Sequence, residues 1–119
     1  MSVTIYGIKN CDTMKKARAW LDQRAIAYAF HDYRVDGLDR ARLEGWAKAV
    51  EWEILLNRTS ATFREMPEAL RVDVTKKKAI ALMLDQTTMI KRPVLDLGDK
   101  LLVGFTPDVY EAAFAAQPR

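Results

Sequence analysis

Cys11 is the one cysteine in this chain of 119 residues. It sits in Tyr6-Gly7-Ile8-Lys9-Asn10-Cys11-Asp12-Thr13-Met14, where a short apolar stretch stops at a glycine and turns into a helical pattern. A helix N-terminus presents free N–H groups and the positive end of the macrodipole, and both favour a thiolate over a thiol. The chemistry expected there is nucleophilic. A lone thiol cannot close an intramolecular disulfide, so any redox cycle must bring its second thiol from outside. Isolated cysteines are often inert core residues, but polar Asn10 and Asp12 are poor company for one. Asp12 works against a thiolate if its carboxylate faces the sulfur.

The next residues with chemical content are Ile90-Lys91-Arg92-Pro93. Pro93 stands where a strand begins and is a candidate for a cis bond, because X–Pro bonds have only a small trans preference. That arrangement would set Arg92 and its neighbours against the start of the first helix. The planar guanidinium of Arg92 would then hold a thiolate, a carboxylate or an oxyanion. Arg58 and Arg64, with Asn57, Thr59 and Ser60, form a second polar cluster that would suit an anion or a peptide. A loop between helices would look the same. His31, the sole histidine, reads as a strand residue with a local hydrogen bond rather than a base. One cysteine and one histidine leave no credible zinc site. Met14 occupies the second position of a would-be Cys-x-x-Cys, which removes dithiol chemistry. Ala17 stands where a phosphatase-type phosphate loop needs arginine, and no nucleotide-binding glycine pattern occurs.

These residues need elements to position them. Val3 to Tyr6 reads as a buried strand closed by Gly7. A helix follows from Cys11, with Met14, Ala17 and Leu21 at spacings of three and four beside Trp20; Asn10 or Thr13 would supply its N-cap. Ile26 to Tyr33 reads as a second strand, and two strands around a helix imply parallel pairing with a right-handed crossover. Asp39 and Thr75 are expected to cap later helices. Between them come short helical pieces at Trp52 to Leu56, Phe63 to Glu65 and Glu68 to Leu70. Residues from about 38 to 88 carry no strand signal, so an all-helical insertion is expected. Val94 to Leu97 and Lys100 to Val103 flank Gly98-Asp99 as a hairpin. Thr106-Pro107 opens a last helix, with Val109, Tyr110, Ala113 and Phe114 expected on its inner face. The order β-α-β, helices, β-β-α describes an α/β, thioredoxin-like fold with a mixed sheet and a helical insertion. A single domain over residues 1–119 is expected.

Half of the residues are apolar, 29% are charged and the net charge is +3, a composition that suits a globular domain with a modest core. Lys76-Lys77-Lys78 is the one basic run and reads as a solvated helix face, so no direct nucleic-acid partner is expected. No segment reaches membrane-spanning length, and no basic-then-apolar leader opens the sequence. With one cysteine and no disulfide framework, a cytoplasmic location is the expectation.

Ile5 to Thr13, Phe30-His31-Asp32-Tyr33-Arg34-Val35-Asp36-Gly37-Leu38 and Ile90-Lys91-Arg92-Pro93 together resemble the ArsC/Spx family, most closely its small YffB-like branch of glutathione-dependent thiol reductases. The likeness runs from Val3 to Phe114 and implies the thioredoxin-like fold. It implies Cys11 as nucleophile with Arg92 as its catalytic partner, and Asn10, Arg58, Lys91 and Pro93 as residues that bind glutathione or substrate. No bound cofactor is implied, with glutathione as co-substrate and a small or protein thiol or an oxyanion as substrate. Family arsenate reductases hold arsenate with three arginines. Arg92 matches one of them, Asn57 with Arg58 beside it takes the second place, and the third place, near Val103-Gly104-Phe105, has none. Each charge-assisted hydrogen bond contributes on the order of 1.5–3 kcal/mol, so the resemblance implies a monothiol glutathione-dependent reductase ahead of an arsenate reductase. A transcription-associated binding protein of the Spx kind, with RNA polymerase as partner, is the alternative of another class; there Met14 replaces the second cysteine of the redox switch.

Overall fold

β1, Thr4–Gly7, is β-branched and aromatic with Ile5, Tyr6 and Gly7 all buried, and it lies inside a four-stranded sheet of order β2-β1-β3-β4. This is a computed structural model, and it describes residues 2–116. β2, Ala29–Asp32, pairs parallel to β1 with Ile5 opposite Phe30 and Gly7 opposite Asp32. β3, Val94–Asp96, pairs antiparallel with β1 on its other side, and β4, Leu101–Val103, closes the hairpin with β3. α1, Asp12–Gln23, makes the crossover between β1 and β2 and buries Met14, Ala17, Trp20 and Leu21, as the apolar spacing requires.

The chain divides into two compact units: Met1–Arg34 with Arg92–Arg119, and Val35–Lys91. The first holds the sheet, α1 and the final helix α8, Pro107–Ala115. Its core joins Val3, Ile5, Leu95, Leu97 and Leu102 of the strands and hairpin to α1 and to Tyr110 and Ala113 of α8. Trp20 meets Tyr110 edge to face at 5.5 Å, a geometry that aromatic quadrupoles prefer. Thr106 caps α8 by accepting from the Val109 N–H, and Pro107 takes the first turn, where its missing N–H costs nothing. In the hairpin the Leu97 N–H donates to the Lys100 carbonyl at 2.9 Å, and Gly98 adopts φ +92°, a left-handed value that only glycine takes freely.

The second unit is built from α3, Arg40–Ala49, with α4, Trp52–Leu55, α5, Ala61–Arg64, α6, Glu68–Arg71, and α7, Lys76–Asp85. The helical insertion expected from about 38 to 88 lies within it. Asp39, Ser60 and Thr75 cap α3, α5 and α7 by accepting from the N–H three residues on. Leu43, Trp46, Leu55, Phe63, Ile80 and Met83 are buried.

Four expectations change. Cys11, not Asn10 or Thr13, occupies the N-cap of α1. The second strand starts at Ala29 and ends at Asp32, because Tyr33 opens the short helix α2, Tyr33–Asp36. The insertion is not purely helical: a 3₁₀ turn at Thr87–Met89 leads into an isolated antiparallel bridge between Leu56 and Ile90. Val109 is 49% exposed rather than on the inner face of α8, where Tyr110 and Ala113 take the core side.

Candidate functional site

Cys11 is placed by the end of β1 and the start of α1. Its backbone is extended, with φ −133° and ψ 127°, and its carbonyl already accepts the Lys15 N–H at 3.0 Å, as an N-cap should. The thiol is half-buried and packs against the core of the first unit. As a weak acceptor it makes no cap hydrogen bond, yet the first-turn amides face it and would serve its anion. Burial alone pushes the thiol up. The Met14 amide, the Arg92 guanidinium and the Thr13 amide pull it down further, and the balance lies below the ordinary thiol value.

Arg92 is half-buried and belongs to the same unit as Cys11. It reaches the Cys11 sulfur through a hydrogen bond and through its charge. Its charge also acts on Tyr33, whose phenol is pushed above its usual range by burial, pulled back by the Arg92 charge and raised again by Tyr6. Tyr33 was missed in the sequence, where it read as the last residue of a strand. Its burial at 4% exposure, in a stretch that otherwise turns to solvent, was not legible without the sheet. His31 is a strand residue, as expected, stacked on Tyr6 at 4.8 Å between ring centroids.

The Arg92–Pro93 peptide is cis, and Pro93 is buried, with its carbonyl accepting the Gly104 N–H at 2.8 Å. Asn10 is exposed in the bend before the thiol. The structure thus brings Asn10, Cys11, Arg92 and Pro93 into one unit, with Cys11 and Arg92 in direct interaction. Arg58 and Lys91 belong to the second unit. There Arg58 lies over the Phe63 ring at 5.9 Å, and the Lys91 N–H donates to the Leu55 carbonyl at 2.8 Å. The polar residues beside Arg58 make local hydrogen bonds. The Asn57 side-chain carbonyl accepts from both the N–H and the hydroxyl of Thr59, and Ser60 caps α5. Among the described residues no three of His, Cys, Asp and Glu gather as a metal site would need, and no helix is long and apolar enough to cross a membrane.

The arrangement can hold a sulfur anion beside a cation at the surface of a thioredoxin-like sheet, and so can perform nucleophilic attack on sulfur or on an electrophilic oxyanion. Comparison with known proteins agrees with that fold. The model of the ArsC family matches residues 6–113. The solved structure of a YFFB protein is similar, with 54% identity and a TM-score of 0.91 over 94% of this chain and 98% of that one. An arsenate reductase (ArsC) related protein from Brucella melitensis is 58% identical, with a TM-score of 0.78 over 96% and 95% of the two chains. A protein of Haemophilus influenzae is 42% identical over 113 residues, which is 95% of this chain and 99% of the relative.

Proposed function

Since this chain belongs to the ArsC family, we propose that it is a monothiol thiol/disulfide reductase that uses Cys11 as nucleophile and glutathione as co-substrate. The observation that carries this reading is the half-buried Cys11 at the N-cap of a twelve-residue helix, bonded by Arg92 and faced by the Met14 and Thr13 amides. The Cys11 thiolate attacks the glutathione sulfur of a mixed disulfide, forming a Cys11–glutathione disulfide and releasing the substrate as its thiolate. A second glutathione thiolate attacks that disulfide, leaves as oxidised glutathione and returns Cys11 to its anion. Over the cycle one free glutathione is consumed per substrate thiol released, the mixed disulfide and glutathione becoming the substrate thiol and oxidised glutathione, and no second protein thiol is needed. Arg92 holds Cys11 ionised and steadies the leaving sulfur; Asn10 and Pro93 flank the thiol where the glutathione backbone would lie.

The likeness to an arsenate reductase related protein favours a second reading on the same thiolate. There the Cys11 thiolate displaces hydroxide from arsenate, a glutathione thiolate attacks the Cys11 sulfur so that arsenite leaves with the electron pair, and a second glutathione resolves the resulting Cys11–glutathione disulfide. The incomplete arginine set places this reading second.

The test is intact mass after exposure to oxidised glutathione, joined to a steady-state assay with a glutathione mixed disulfide and a parallel arsenate assay. A single glutathione adduct on wild type, absent from Cys11→Ser and removed by reduced glutathione, is expected. A protein that forms no adduct and has an alkylation midpoint at the unperturbed thiol value of about 8.5 would overturn the proposal.

A further inference from the structure

Gly7 ends β1, held on one side opposite Asp32 and one residue beyond the Tyr6–Val94 pair on the other, so the sheet fixes its position. Its φ lies outside the left-handed range, and the conformation there is one any residue adopts. The need for glycine is one of space. A Cβ at this position would fall 2.3 Å from the Met14 Sδ and 2.8 Å from its Cε, closer than real Cβ atoms approach, and a tight 3.2 Å from its Cγ, so the thioether would have to shift. Met14 is fully buried at 0% exposure, among Ile5, Ala17 and Leu21 of the same core. Its thioether therefore sits close against the bare backbone of Gly7, and in a close-packed core any shift it makes must be taken up by its neighbours. Met14 is also the third residue of α1, and its own N–H is one of the two that face Cys11.

We propose that Gly7 and Met14 are a positioning pair: the thioether, seated on the bare glycine of β1, fixes the height and rotation of the first turn of α1 and so aims the Thr13 and Met14 amides at the Cys11 sulfur. Position 14 then has work other than redox chemistry: its side chain keys the helix to the sheet, and the thiol it serves acts alone. This rests on the reading of Cys11 as the reactive thiol and adds how the fold holds that thiol ready.

The experiment is a pH titration of Cys11 alkylation in Gly7→Ala, Met14→Ala, the double variant and Leu21→Ala, each with a thermal melt. None of these changes a charge, and Arg92 and Asp12, the charged groups beside the thiol, stay in place. Gly7→Ala is expected to raise the midpoint by about one pH unit, the size of one lost charge-assisted amide bond. Met14→Ala raises it too, because the turn loses its seat. The double variant has room for the added methyl and melts higher than the sum of its single changes predicts. Leu21→Ala, in the same core two turns away, lowers the melting temperature and leaves the midpoint alone. Should Gly7→Ala not fold, Met14→Ala against Leu21→Ala decides. Folded variants with the wild-type midpoint, or a Leu21→Ala shift as large as that of Met14→Ala, would overturn the pair. Because alkylation needs no turnover, a lowered wild-type midpoint with unmoved variants defeats this inference alone, and an unperturbed wild-type midpoint together with the absence of a glutathione adduct defeats the proposed function.

Discussion

Cys11 and Arg92 set the chemistry at the scale of single residues, and their balance is measurable. A guanidinium bonded to a sulfur favours the anion by charge and by its hydrogen bond, against a burial cost that favours the neutral thiol. Arg92→Gln removes the first two and leaves the third, so the alkylation midpoint of Cys11 is expected to rise by about one pH unit or more. Arg92→Lys should recover part of that shift, as a point charge without the planar fork. The same balance has a stability consequence. The folded thiol ionises below its unfolded value, so wild type gains stability relative to Cys11→Ser as pH rises through the folded value. The gain is complete above the unfolded value and disappears as pH falls through the folded one. Urea midpoints of the two proteins across this window test the sign, and a difference that shrinks with rising pH would contradict it. Tyr110 gives a second case. It is fully buried and its hydroxyl has no hydrogen-bond partner among the described residues. Tyr110→Phe removes a desolvated, unanswered group and is expected to leave stability unchanged or to raise it by about 1 kcal/mol in urea unfolding.

Elements place these residues through their ends more than through their interiors. β1 stops at Gly7, the chain bends through Lys9 and Asn10, and α1 begins with Cys11 as its cap. By propensity Asn10 or Thr13 is the better cap, and the strand-to-helix connection overrides that preference by fixing which residue sits at the turn. The caps of α3, α5, α7 and α8 follow propensity. Thr75→Ala and Thr106→Ala are each expected to cost about 1 kcal/mol, read as a lower urea midpoint, because each leaves one first-turn N–H without its acceptor. Gly98→Ala should cost about 1–2 kcal/mol, since its φ of +92° penalises a Cβ. On the outer face of α1, Arg18 lies 4.3 Å over the Phe30 ring and donates to the Tyr28 hydroxyl, which ties the helix to β2 and the segment before it.

At the scale of the whole molecule, the first unit is one sheet with α1 and α8 packed through a shared core, and Leu95 lies in its centre at 0% exposure. Leu95→Ala is expected to cost about 2–5 kcal/mol, seen as a lowered thermal midpoint, and a loss below about 1 kcal/mol would contradict the packing described. The local pattern of the sequence was enough for the order of elements, the βαβ unit, the hairpin around Gly98-Asp99 and the apolar stripe of α1. Period, turn residues and caps are properties of neighbours in the chain. It was also enough to single out Cys11 with Arg92, because a lone thiol at a strand-to-helix turn and an Arg-Pro before a strand are local signals. Tertiary structure decided the rest. It made Cys11 the cap itself, buried Tyr33 within reach of the Arg92 charge, turned Val109 outward and seated Met14 on Gly7. Each of those depends on how strands and helices pack on one another, where excluded volume and burial, not local preference, select the arrangement.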